Sequence, residues 1–181
     1  MLQMYKTWLE ALEQGDMGGI CKIDMRAAFD VVDTQLLLEK LELYGFERNS
    51  VQWIWSYLTY RSQRVYIEGS LSDHLALDAG VPQGSILGPI LYTIFTNELP
   101  QVVHEDNCPM KESGESLIFN LQCQECGGVC CYADDSTYTA VGSDPVELSE
   151  KLSHKYSVLA DFLTLNKLKV NDKKTHPMYK A

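Results

Sequence analysis

Apolar residues recur along this chain with two periods, about 3.6 and about 2, and the switches between them mark its elements. Trp8, Leu9 and Leu12 fall at helical spacing and stop at Gly15, which predicts the end of a helix over the first 15 residues. GGICKIDM (18–25) reads as a short strand, with Ile20 and Ile23 among small residues. DTQLLLEKLELYG (33–45) starts at a capping residue, Asp33 or Thr34, and ends on Gly45, with Leu37, Leu38, Leu41 and Tyr44 as its buried stripe. NSVQWIWSYLTYR (49–61) repeats the pattern with Val51, Ile54, Trp55 and Leu58. The period then shortens. RSQRVYIEGSLSDHLALDAG (61–80) alternates around a Gly69-Ser70 turn, with Val65 and Ile67 on one arm and Leu75 and Leu77 on the other. SILGPILYTIFTNELP (85–100) returns to helical spacing, placing Ile86, Leu87, Ile90, Leu91, Ile94 and Phe95 on one face, with Pro89 early enough to be tolerated. From Gln101 to about Ser116 no period survives, and HEDNCPMKESGES reads as an inserted loop. A second hairpin follows, out along SLIFNLQC, round CQECGG and back as VCCYA. A last helix covers roughly 145–165 with Leu148, Leu152, Leu159 and Phe162 inward, before a basic tail carrying Lys167, Lys169, Lys173, Lys174 and Lys180. These elements predict an α+β domain on an antiparallel sheet, not a doubly wound one.

Composition bounds this picture without redirecting it. A chain of 181 residues, 45% hydrophobic, suffices for one compact domain over 1–181, with 101–131 as an inserted loop and Cys-rich hairpin within it. The formal charge of −10 argues against non-specific nucleic-acid binding through the net field. No apolar run has the length to span a bilayer, and MLQMYKTWLEALEQG is no signal peptide, so the expectation is an intracellular chain with no membrane partner. The six cysteines are then expected as reduced thiols or metal ligands.

Chemistry enters at CCYADDSTYTAV (130–141), where Asp134 and Asp135 stand side by side in a hairpin pattern. Adjacent carboxylates repel, and a divalent cation would offset that repulsion; Asp-Asp-Ser is equally good turn chemistry. Asp24 ends the first predicted strand, a second place where a metal site can be built. Asp24 and the pair meet only if that strand lies beside the hairpin in one sheet. Three carboxylates would then converge with no nearby Lys or Arg in either motif to neutralise them. Such oxygen ligands select Mg²⁺ or Mn²⁺ over zinc. Two ions about 4 Å apart suit in-line displacement at phosphorus.

Four blocks make the reading specific: IDMRAAFDVVD, GVPQGSILGPILYTIFTNELP, CYADDSTY and LNKLKVNDKKTHPM. In order and spacing they resemble the palm-domain blocks of reverse transcriptases, most closely those of non-LTR (LINE-type) retrotransposons, over nearly the whole chain. The resemblance implies a polymerase palm-like antiparallel sheet backed by helices, with partial fingers and no thumb. It implies an RNA-directed DNA polymerase extending a primer 3′-OH with dNTPs on an RNA template, using Mg²⁺ or Mn²⁺. Asp24 and Asp134 match the metal-binding aspartates, Asp135 the second Asp of the turn, and Met25 a backbone carbonyl contact. Phe29 matches the aromatic gate under the incoming sugar, where a ring leaves no room for a 2′-OH; that disfavours an RNA-dependent RNA polymerase. Core packing is the plainer role for the same ring. Gln83 and the Gly84 backbone match contacts to the nucleotide and its template base, although a strand-to-helix turn capped by Ser85 would use the same residues. Lys174 matches a lysine that protonates the pyrophosphate leaving group, with Lys173 one position away as the alternative and a solvated basic tail as the bland reading.

The cysteines depart from that family pattern. Cys123-x2-Cys126 followed by Gly127-Gly128 resembles a zinc half-site; Cys130 or Cys131 supplies a third ligand, and Cys108 or His104 a fourth. Buried reduced thiols in a hairpin are the alternative. Only 23 residues precede Asp24 and the chain stops just after the fourth block, so it reads as a fragment, its nucleic-acid-gripping basic surfaces expected on parts not included. Two further readings stand beside the polymerase. One is a catalytically inactive palm remnant or zinc- or partner-binding module. The other is a palm-fold nucleotide cyclase, which GVPQGS and Phe29 disfavour.

Overall fold

A computed structural model describes residues 2–103, 122–123, 127–132, 135–171 and 173–180. In chain order its first elements are α1 (Leu2–Glu13), β1 (Met17–Asp24), α2 (Thr34–Leu43), α3 (Arg48–Leu58), β2 (Arg61–Gln63), β3 (Tyr66–Ile67), β4 (Ser70–Leu71) and β5 (Leu75–Leu77). There follow α4 (Leu87–Phe95), α5 (Leu99–Val102), β6 (Gln122–Cys123), β7 (Gly127–Tyr132), β8 (Asp135–Gly142), α6 (Pro145–Leu165) and β9 (His176–Lys180). They form two compact units: Met1–Arg26 with Asn97–Ala181, and Ala27–Thr96. No helix among the described residues is long and apolar enough to cross a membrane.

The first unit is built on a sheet of order β6-β7-β8-β1-β9, antiparallel throughout. Alternation along β1 gives its two faces different work. Gly19, Cys21 and Ile23 face α6, so closely that a Cβ on Gly19 would lie 2.7 Å from Leu152 Cδ1. Lys22 and Asp24 take the other face. α6 forms where its pattern predicts. The Asp144 side chain accepts the N–H groups of Val146 and Glu147, Pro145 needs no partner at N1, and Leu148, Leu152, Leu159, Phe162 and Leu163 are buried. Lys155 fills the remaining core position of that stripe, with Nζ donating to Thr139 O at 3.2 Å. Burial raises the pKa of both Cys21 and Tyr138, which face each other across β1 and β8, so the pair stays neutral beneath the sheet.

The basic tail keeps Lys167, Lys169, Lys173 and Lys174 exposed, but its end forms a strand that the pattern did not predict. His176–Lys180 pairs with β1 from Lys22↔His176 to Gly18↔Lys180, and β9 tolerates Pro177 because it is an edge strand. Gln101 and Val102, read from sequence as the start of the inserted loop, are helical, in α5. Residues 104–121 lie outside the described residues; of the second hairpin, β6 and β7 pair as Cys123↔Gly127 and Gln122↔Gly128.

In the Ala27–Thr96 unit, Asp33 caps α2 by accepting Leu36 N–H at 2.9 Å, and Leu37, Leu38 and Leu41 are buried as expected. Tyr44 is not: it is the C-cap, past the last turn, and 38% exposed. In α3, Val51, Ile54 and Leu58 are buried, whereas Trp55 turns outward to meet Tyr60 edge-on. The 61–80 hairpin is present, β2 on β5 and β3 on β4, but its tight turn is Glu68-Gly69, both at positive φ (48° and 85°). Its alternating apolar residues Val65, Ile67 and Leu75 are exposed. The 85–100 helix is two helices, because Pro100 lacks the N–H that a continuous helix would need and sits in the first turn of α5. In α4 the buried face is Gly88, Leu91, Tyr92 and Phe95, leaving Ile86 and Ile90 exposed.

Candidate active site

Asp24 is the last residue of β1 and Asp135 the first of β8, and the antiparallel register pairs them directly. Cross-strand partners share a face, so both carboxylates stand at the same end of the sheet on the side away from α6. Asp134 and Ala133 lie outside the described residues.

The expectation that no Lys or Arg neutralises this cluster is corrected. Lys22, two residues before Asp24 and hence on its face, places Nζ 3.1 Å from Asp135 Oδ1. Lys174 places Nζ 3.8 Å from Asp24 Oδ2, with 69% of its side chain exposed. Asn171 donates Nδ2–H to the same oxygen at 2.8 Å and its backbone N–H to Asp24 O at 2.9 Å. The segment that carries them is zipped onto the strand end by the Met25↔Val170 bridge and by Arg26 N–H donating to Lys169 O. Lys22 and Asn171 were not singled out from sequence. The period-2 alternation of β1 held the signal for Lys22; nothing local held one for Asn171.

In the Ala27–Thr96 unit a second cluster joins residues of two blocks. Val81 N–H donates to Phe29 O and Gly80 N–H to Val32 O, both at 2.8 Å. Gly80 permits this approach: its φ is +87°, and a Cβ there would lie 2.7 Å from Asp30 O. Arg61 locks the same turn by donating to Gly80 O and Leu58 O. The Phe29 ring rests on Tyr92 at 4.7 Å between centroids. Gln83 Nε2–H donates to Asp30 Oδ1 at 2.7 Å, so its amide is oriented although exposed. Gly84 has φ +79° with nothing within 4 Å of a built Cβ, so its backbone is bare. Ser85 bridges turn and helix, accepting Gly88 N–H and donating to Pro82 O.

The zinc candidates are only partly described. Cys108, Cys126 and His104 lie outside the described residues, and Cys123 and Cys130 are placed by strand register alone. Cys131, half-buried, accepts Ser136 Oγ–H at 3.6 Å. Among the described residues no group of three His, Cys, Asp or Glu closes round a metal position.

The family model for reverse transcriptase (RNA-dependent DNA polymerase) matches residues 7–181. The chain belongs to that family. The reverse transcriptase resemblance carried by the four blocks is thereby borne out. The RNA-directed DNA polymerase from mobile element jockey of Drosophila funebris is 34% identical over 144 residues, 80% of this chain and 14% of that protein. The probable RNA-directed DNA polymerase from transposon BS of Drosophila melanogaster is 30% identical over 177 residues, 96% of this chain. The chain thus spans about a sixth of the length of these reverse transcriptase relatives, 14% and 17%. Telomerase from Candida tropicalis, solved in complex with a fragment of telomeric RNA, matches 98% of this chain and 28% of its own with a TM-score of 0.61 at 17% identity. That likeness shows the fold: a palm-like antiparallel sheet backed by helices.

Proposed function

We propose that this chain is the palm-centred part of an RNA-directed DNA polymerase from a retrotransposon, transferring dNTPs to a primer 3′-OH on an RNA template. The observation that carries the proposal is the ladder placing Asp24 opposite Asp135 on the sheet face away from α6. Two oxygen-bearing groups on one face fit a hard divalent cation, Mg²⁺ or Mn²⁺, and Asp24 Oδ1 takes no hydrogen bond or ion pair from the described residues. Asp24 and Asp135, with Asp134, would hold it. When bound, such a cation stabilises the negative charge that builds on phosphate oxygens during transfer.

The chain's own residues do the rest. Lys22 balances Asp135, so the two carboxylates can approach before any cation is present. Lys174 stands beside Asp24, where an ammonium can deliver a proton to departing pyrophosphate. In the Ala27–Thr96 unit, the ring contact with Tyr92 supports Phe29 as the gate against a 2′-OH. Gln83 and the bare Gly84 backbone are suited to contact the incoming nucleotide and its template base. A structural zinc on Cys123 and Cys126, with Cys130 or Cys131 as third ligand and Cys108 or His104 as fourth, is a separate proposal; less than about a tenth of an equivalent in purified protein would end it.

Primer extension on an RNA template with Mg²⁺ or Mn²⁺ tests the main reading. Asp24→Asn and Asp134→Ala are each expected to lower the rate by about a hundredfold or more, because the charge stabilisation they support is worth several kcal/mol. Extension unchanged by either substitution would sink the mechanism, and an inactive parent chain would favour the remnant.

A further inference from the structure

One residue grips Asp24 at two points. Asn171 binds the Asp24 carbonyl through its backbone N–H (2.9 Å) and the carboxylate Oδ2 through its side-chain amide (2.8 Å), across a sequence separation of 147. The backbone bond, the Met25↔Val170 bridge and the Arg26–Lys169 bond fix where Asn171 stands, independently of its side chain. The amide therefore has one evident task, to orient the carboxylate. Oδ2 is shared by Asn171 and Lys174, and Oδ1 is left without a donor among the described residues.

We propose that Asn171 is a positioning residue for Asp24, holding Oδ2 so that Oδ1 is the oxygen presented to the divalent cation. The proposal rests on the metal-binding reading of Asp24 given above. An amide suits the task because it orients the carboxylate without cancelling its charge. Lys174, longer in distance and mostly exposed, is screened by solvent and cannot set an angle as firmly. Hydrogen bonds that orient a metal-binding carboxylate are worth about 10- to 100-fold in metal affinity.

Mn²⁺ alone is the probe, titrated into the full 181-residue chain and followed by the electron paramagnetic resonance of the free ion. Asp24→Asn is expected to remove the binding. Asn171→Ala and the closely sized Asn171→Leu are expected to weaken it about tenfold while the backbone bond keeps the segment folded. In primer extension the Mn²⁺ concentration for half-maximal rate should rise by the same factor, with KM for dNTP unchanged. A merely structural role would lower Tm without moving the metal dependence, and Asn171→Leu keeps the comparison open if the alanine variant does not fold. Mn²⁺ affinity within about twofold of the parent in the Asn171 variants, with Asp24→Asn still removing binding, overturns this proposal alone. Binding indifferent to Asp24→Asn overturns the metal-site reading and this proposal with it.

Discussion

Lys22 and Asp24 show how much one strand face can decide. Two residues apart on β1, they point the same way, and Lys22 then meets Asp135 across the ladder at 3.1 Å. With about half of each side chain exposed (49% and 47%), the pair adds little stability. Its effect is on local charge: a cation bound there as proposed would compete with the ammonium for Asp135. A different carboxylate, Glu147, has a purely structural part. Lys151 beside it, then the Ser143 hydroxyl and backbone N–H, lower its pKa from 4.5 to about 2. A lowered folded-state value means that its contribution is present in full above pH 4.5 and is lost as pH falls toward 2. Glu147→Gln should therefore lower Tm slightly at pH 7, the effect being small because the group is exposed to solvent. The gap to the parent should close as the pH drops from about 4.5 to about 2 in thermal melts followed by circular dichroism. A gap that stays constant with pH would show that the carboxylate charge is not what matters there.

Among the elements, those whose burial follows from their own period were legible. α6 spans the predicted 145–165 and buries the predicted leucines, and Asp33 caps α2 as its position suggested. What failed was the side of the element that meets a neighbour. Periodicity in α4 could not tell that Gly88 and Tyr92 face inward while Ile86 and Ile90 do not, because apolar residues occupy most of that helix. Alternation in the 61–80 segment marked a hairpin but not its burial: Val65 and Ile67 stand exposed. The GVPQGS turn was read as a backbone device, and its geometry gives that reading a cost. Gly80 sits at φ +87° with Asp30 backbone atoms 2.7–2.9 Å from a built Cβ, neither of which a neighbouring side chain can relieve. Gly80→Ala should destabilise the chain by about 2 kcal/mol or more, adding the left-handed penalty to overpacking. Urea unfolding of the two proteins measures it; a loss under about 0.5 kcal/mol would mean the turn can move away from Asp30 at little cost.

Across the whole molecule, the candidate site depends on strand neighbours that no local pattern specifies. β1 is hydrogen-bonded on both edges, by β8 and by β9, so residues 17–24 must find 135–142 and 176–180 before Asp24 has its surroundings. Asp24 was legible as a strand-end carboxylate; Asn171 was not, because its partner lies 147 residues away and only the closed sheet brings them together. The same topology sets how stability is distributed. A strand paired on both sides and packed under α6, with Cys21 and Ile23 buried, opens only when much of its unit opens. The two-residue ladders β3 and β4 pair with each other alone and are exposed along their length. Hydrogen exchange on the full chain, read by mass spectrometry, should find the amides of residues 19–23 protected long after those of 65–72 have exchanged. Comparable protection in the two segments would contradict this distribution and imply that the hairpin has a cover of its own. The expected gradient puts Asp24 at the end of a strand held on both edges, as its proposed role, a carboxylate that would hold its geometry while charge builds nearby, would require.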